Sequence, residues 1–366
     1  MPPAPADPLP SPWSTPIRNA ARALPLLVSA ALLAGAATAC TSGDDTSADK
    51  KTTPSPAAPK SAPALSDAQA RAVITTYSKT NNEANKQRDR ARLDTVEDGP
   101  VYAMSVSDYT ETEGLPKADR KPYKPWSYDA SHAKLYIPRF TTDSDRWFAA
   151  ALSSEKGKDP SRIALFAEQP KDKRWELVSV VDLESRTLPD IALDKDGHAT
   201  AVDATGNKQL GADSDLLRTA VIDNFATGGT NTGTKVFKPT KASRQQIKVH
   251  DETIRKFGKL GTTVFAGASN RFKDAYALKT TDGALILFSH THTQTDAVAH
   301  SGLQINPGKD DRAWLHGVPR TSIKYTFVCN DAATVPAKAE PSRLIGYTCA
   351  RTDASGPPIP SWSDRA

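Results

Sequence analysis

The chain has 366 residues, enough for two domains of ordinary size. Hydrophobic residues at 38% and charged residues at 24% exclude a multispan membrane protein, and a net charge of +5 is too small for the basic footprint of a nucleic-acid binder. Three cysteines exclude a disulfide-rich scaffold and a tetrathiolate zinc site.

Residues 1–39 read as an export signal. A Pro-rich leader carries Arg18 and Arg22, an apolar run follows from Leu24 to Ala37, and small residues close it. The run is shorter than the roughly 20 residues of a membrane-spanning helix. Ala37-Thr38-Ala39-Cys40 resembles the lipobox of bacterial lipoproteins, with Ala37 where an aliphatic residue is usual. That resemblance implies diacylation of Cys40 before cleavage, and two acyl chains give stable anchoring. Residues 40–64 then form a Pro-rich segment with almost nothing to bury, expected as a disordered tether spanning roughly 25–30 Å.

Two similar stretches follow, 65–210 and 211–354, before a Pro/Ser-rich tail at 355–366. In the first, Ser66 to Gln69 is a capping box that opens a helix with an apolar face of Ala70, Val73, Ile74 and Tyr77. Strands are expected at 101–106, 135–140, 146–152, 162–168 and 174–183. In the second, Leu216, Leu217, Ala220, Val221 and Phe225 have helical spacing, and Ser243 to Gln246 reads as another capping box. Strands are expected at 262–268, 274–279, 284–293, 322–332 and 344–352, with Asp282-Gly283 as a hairpin turn. Helices before strands in each stretch argue α+β with antiparallel sheets.

This order resembles the curved-sheet cones of the nuclear transport factor and SnoaL-like superfamily, here as two consecutive units. The whole layout resembles actinobacterial lipoproteins that carry a large domain of unknown function. The segments Pro138–Phe140, Arg146–Phe148, Ile163–Phe166 and Trp175–Leu177 carry the likeness. They are packing signatures, so the resemblance implies no catalytic residue.

Candidate chemistry is sparse. Cys329 and Cys349 are the only thiols left after lipidation of Cys40, on adjacent expected strands in an oxidising compartment, and are expected to form a disulfide. Alternation puts Ile286, Phe288, His290 and His292 on one strand face, which is expected to line any pocket of the second unit. His290 and His292 could offer two imidazoles to a metal, with His250, His300 or Asp296 as third ligand, or could simply run out to solvent. No metal site and no cofactor are expected on balance. The aromatics of Lys121–Tyr128 either face a partner or cover their own core. Gly228–Lys235 departs from a phosphate loop because Thr234 takes the lysine position, and Ser153–Lys156 lacks the companions of a penicillin-interactive site. The expected function is a membrane-anchored binding or interaction module on the extracytoplasmic side, with an envelope protein or small ligand as partner. A cone-fold isomerase or hydratase with a His base is the alternative, as is an envelope assembly factor.

Overall fold

In the computed structural model, residues 61–141, 144–153, 160–269 and 271–359 are described. The signal, Cys40, most of the tether and the end of the tail lie outside them. β1 (Ala62–Pro63) pairs with residues 139–140, and Ala64 and Leu65 are buried. The stretch read as tether up to residue 64 therefore ends inside the fold. α1 (Asp67–Gln87) starts at the expected cap: Ser66 accepts from the Gln69 amide and Gln69 reaches back. It ends at Arg88 in the left-handed region (φ 55°), and the short α2 (Arg90–Leu93) follows.

The strand expected at 101–106 is a helix, α3 (Gly99–Gly114). Pro100 sits in its first turn, where a missing amide costs nothing. Val101, Ala103, Met104, Val106 and Tyr109 are all buried, so the segment has no polar face by which sequence alone could show a helical period. The first sheet is antiparallel. Its strands are β2 (Lys134–Tyr136), β4 (Trp147–Leu152), β5 (Arg162–Glu168) and β6 (Trp175–Asp182) in that order, and β3 (Arg139–Phe140) belongs with β1. Trp126 and Tyr128 cover this unit's own core, against Tyr77.

β7 (Ala201–Val202), at the end of the first stretch, already belongs to the second sheet, and the second stretch adds α4 (Ser214–Thr227), α5 (Gly233–Val236) and α6 (Lys241–Thr253). The cap of α6 lies three residues before the expected one: Thr240 caps it and Ser243 is the reciprocating residue. Between α4 and α5, the amides of Asn231, Thr232 and Gly233 all donate to one Asp223 carboxylate oxygen, so this Gly-rich loop is closed on itself. Strands β8 (Gly261–Gly267), β9 (Ala275–Thr280) and β10 (Gly283–Val298) follow, then a short α7 (Arg312–Leu315), β11 (Ser322–Pro336) and β12 (Arg343–Ser355). The sheet order is β12-β11-β10-β9-β7, with β8 paired to the far end of β10.

The two sheets share a core. Ile163, Leu165 and Val181 of the first pack with Leu278, Leu285, Leu287 and Ala332 of the second. The chain changes sheets near Leu183, which bridges to Gly346, where a Cβ would meet the Asp182 carbonyl at 2.1 Å. The other face of β10 and β11, with Ala284, Ile286, Phe288, Ala333 and Val335, packs under α4 with Leu217 and Val221. A boundary near 210 thus separates neither the sheets, since β7 already joins the second, nor the cores.

Candidate functional site

Strand register assembles a polar cluster beneath α4 and α6. His290 of β10 lies opposite Cys329 of β11, and Cys329 lies opposite Cys349 of β12, so the three share one face. His292 and Asp331 occupy neighbouring positions of that face, two residues along their own strands. Cys329 and Cys349 are joined in the expected disulfide, with Cα atoms 4.1 Å apart. His290 Nδ1 is 2.6 Å from Asp331 Oδ2, both residues being fully buried, and His290 Nε2 is 3.1 Å from His292 Nδ1. Asp331 Oδ1 accepts from Gln246 Nε2 at 3.4 Å, and Gln246 Oε1 accepts from Asn224 Nδ2 at 2.8 Å. The result is a closed chain from α4 through α6 to the sheet.

The aromatic surroundings decide the charge. His292 is stacked between Phe225, 4.3 Å away at 15°, and Phe327, 5.0 Å away at 12°. Burial first, and the neighbouring His290 second, hold the His292 imidazole well below its ordinary pKa, so it is neutral at physiological pH. The third ligands considered from sequence lie elsewhere: His250 pairs with Asp251, Asp296 with Thr263 and Lys256, and His300 is exposed. Asp331 was missed. Its signal was the spacing Cys329–Asp331, which puts both on one strand face.

Ile286 and Phe288 sit in the core under α4, and His290 and His292 continue along the same covered side. The open space lies behind them. A cleft of about 590 Å³ lies between the two sheets, and Leu287, Ser289 and Asn330, from the alternate face of β10 and β11, border it. Of the four residues expected to line a pocket, only Phe288 borders this cleft. Trp147 and Tyr276, 5.5 Å apart and edge-to-face, form an aromatic wall, and Asp98, Asp145 and Asp274 lie around Tyr276. Burial and those three carboxylates push the Tyr276 phenol up. Asn330 is fully buried, yet among the described residues neither its amide nitrogen nor its oxygen has a partner, and Ser179 Oγ beside the cleft has none either. Buried polar atoms are nearly always satisfied, by protein or by water, so these side chains leave polar atoms at the cleft open to water or a ligand.

The family comparison covers all of these residues. Residues 61–356 match the model of a domain of unknown function, DUF8094. The chain belongs to this DUF8094 family. Its relatives include an uncharacterized lipoprotein of Streptomyces coelicolor, 73% identical over 354 residues, covering 96% of this chain and 99% of the relative. A second S. coelicolor uncharacterized lipoprotein is 24% identical over 80% of this chain and 87% of its own length. An uncharacterized lipoprotein of Streptomyces avermitilis is 25% identical over 78% of this chain and 83% of its own. No solved structure matches. These relatives agree with the layout read from the sequence, an actinobacterial lipoprotein with a domain of unknown function. The DUF8094 match starts at residue 61, where β1 begins to tie the chain down. Among the described residues, no helix is long and apolar enough to cross a membrane.

Proposed function

We propose that this DUF8094 chain is a binding module of the cell envelope, held at the membrane by acylated Cys40 on the extracytoplasmic side, whose ligand occupies the cleft between its sheets. The observation that carries the reading is Asn330: a fully buried amide with no partner for donor or acceptor among the described residues, beside a cleft large enough for a small molecule or a peptide segment. An amide left in that state costs about 1–3 kcal/mol, and a ligand offering one donor and one acceptor recovers it. The names of the relatives support the anchor. Helices before antiparallel strands in each stretch are in keeping with the cone-like order, whereas the core shared by the two sheets weighs against two independent cones. The catalytic alternative is less well supported. His290 is held by Asp331 as a general base would be, but both side chains are fully buried and covered by α4 and α6.

The test compares wild type with Asn330→Leu after equilibration with an envelope extract. Small molecules retained by each are identified by mass spectrometry, and thermal stability is measured alongside. A species enriched on wild type and lost from the variant, whose stability is equal or higher, supports the reading. Identical retention profiles would remove the cleft from consideration. For the anchor, Cys40→Ala should release the chain from the membrane, and a mature protein without acyl mass would rule out lipidation.

A further inference from the structure

We propose that reduction of the Cys329–Cys349 disulfide converts the face beneath α4 and α6 into a zinc site with two cysteine and two histidine ligands. The register places the four side chains on one face of the sheet. His290, Cys329 and Cys349 lie side by side on three adjacent strands, and His292 is two residues along β10 on the same face. Donor atoms of His290, His292 and Cys329 all fall within 4.8 Å of one another. His290 Nε2 and His292 Nδ1 are 3.1 Å apart, close to the roughly 3.3 Å edge between two nitrogens on a tetrahedral zinc. Cys329 Sγ is 3.9 Å from His292 Nδ1, against about 3.6 Å for a nitrogen–sulfur edge.

The surroundings suit an ion as well. With its Nδ1–H donated to Asp331 Oδ2, His290 presents the Nε2 lone pair on the side of His292. A carboxylate behind a ligating histidine is the usual outer support of a zinc site. Two thiolates would balance the charge of the ion, so the site would gain no net charge on binding zinc.

The switch balances as follows. A dithiol reductant donates two electrons and two protons to the Cys329–Cys349 bond and becomes a disulfide itself, leaving two thiols. Zinc then binds both sulfurs and displaces their two protons to solvent. While the disulfide is intact its sulfurs are poor ligands and only the imidazoles remain, so affinity follows the redox state.

The experiment uses the full chain purified from membranes. Zinc is titrated against a chromophoric chelator before and after treatment with a phosphine reductant, and cobalt is substituted to read the geometry. Reduced protein should take up one zinc per chain at an affinity at least about tenfold above the oxidised form, and cobalt should give thiolate charge-transfer bands with tetrahedral d–d absorption. Asp331→Asn should weaken uptake by about 10–100-fold. The variant with Cys329→Ser and Cys349→Ser checks that the fold survives without the bond, by near-ultraviolet circular dichroism. Zinc uptake by that variant equal to reduced wild type would overturn the proposal. So would equal uptake by oxidised and reduced protein, or the absence of cobalt–thiolate bands in reduced protein.

Discussion

Each sheet buries one polar cluster under its helices, and the two solve the same problem in opposite ways. In the first, Glu97 is fully buried and accepts hydrogen bonds from Tyr77 (2.8 Å), Asn81 (2.8 Å) and Ser105. All three donors are neutral, so burial dominates and pushes the carboxyl up to about 7. In the second, Asp331 has His290 against it, and the chain continues to a neutral His292. In the first cluster the group that titrates is the carboxyl itself, raised by burial, and in the second it is the His292 imidazole, lowered by burial. The clusters therefore respond to pH in opposite directions.

The largest expected effect comes from breaking the second cluster. Asp331→Ala leaves His290 and Gln246 without their acceptor inside the sheet and should cost about 3–5 kcal/mol in urea unfolding. The Glu97→Ala change leaves only neutral donors unpaired and should cost less. If the two costs were equal, the imidazole beside Asp331 would confer nothing that the hydroxyl and amide donors of Glu97 do not.

Next comes the bond beside the histidines. Replacing Cys329 and Cys349, 20 residues apart in sequence, should cost about 3 kcal/mol. Thermal unfolding with and without reductant reads this, and the loss should vanish in the double serine variant.

The pH dependence separates the clusters directly. For Glu97 the folded pKa is about 7, above the ordinary 4.5. The unfolded chain ionises first, so the stability from this group is full below about 4.5 and falls as pH rises to about 7. The loss amounts to at most about 3 kcal/mol. Asp108 and Glu176, also raised to about 7 by burial, add to the same trend. For His292 the folded pKa lies below the ordinary 6.5, so stability is lost as pH falls below 6.5, where the unfolded chain takes up a proton and the folded one does not. Chemical denaturation across pH 4–8 should show Glu97→Gln reducing the decline toward pH 7, and His292→Phe reducing the decline below 6.5. A Glu97→Gln profile parallel to wild type would mean that Glu97 is not the titrating group.

The smallest effect concerns helix starts. Ser66→Ala removes the cap of α1 and should cost about 1 kcal/mol, and Thr240→Ala should do the same for α6. An effect at Ser243 larger than at Thr240 would restore the cap position read from sequence.

Several features were legible from residues alone because their causes are local. The cap at Ser66, the hairpin at Asp282-Gly283 and the strands from 262 to 352 follow from turn chemistry and two-residue alternation. The pairing of Cys329 with Cys349 followed from the strands and the compartment. The segment 101–106 was not legible. A helix buried between two sheets shows neither a polar face nor alternation, and only the neighbours on both sides fix its state.

The histidines mark the boundary between the two kinds of knowledge. Sequence determined that Ile286, Phe288, His290 and His292 share a side, because a strand alternates whatever surrounds it. The expectations of an export signal and of lipidation at Cys40 rest likewise on short linear patterns. Only the tertiary structure decided which side of β10 is covered. Packing α4 and α6 on the histidine face and the first sheet on the other put the cleft against Leu287, Ser289 and Asn330 instead. It also brought Asp331, 41 residues away in sequence, to His290. Alternation is a property of the backbone, but the choice of covered face depends on which distant apolar surfaces find each other, and no local pattern encodes that.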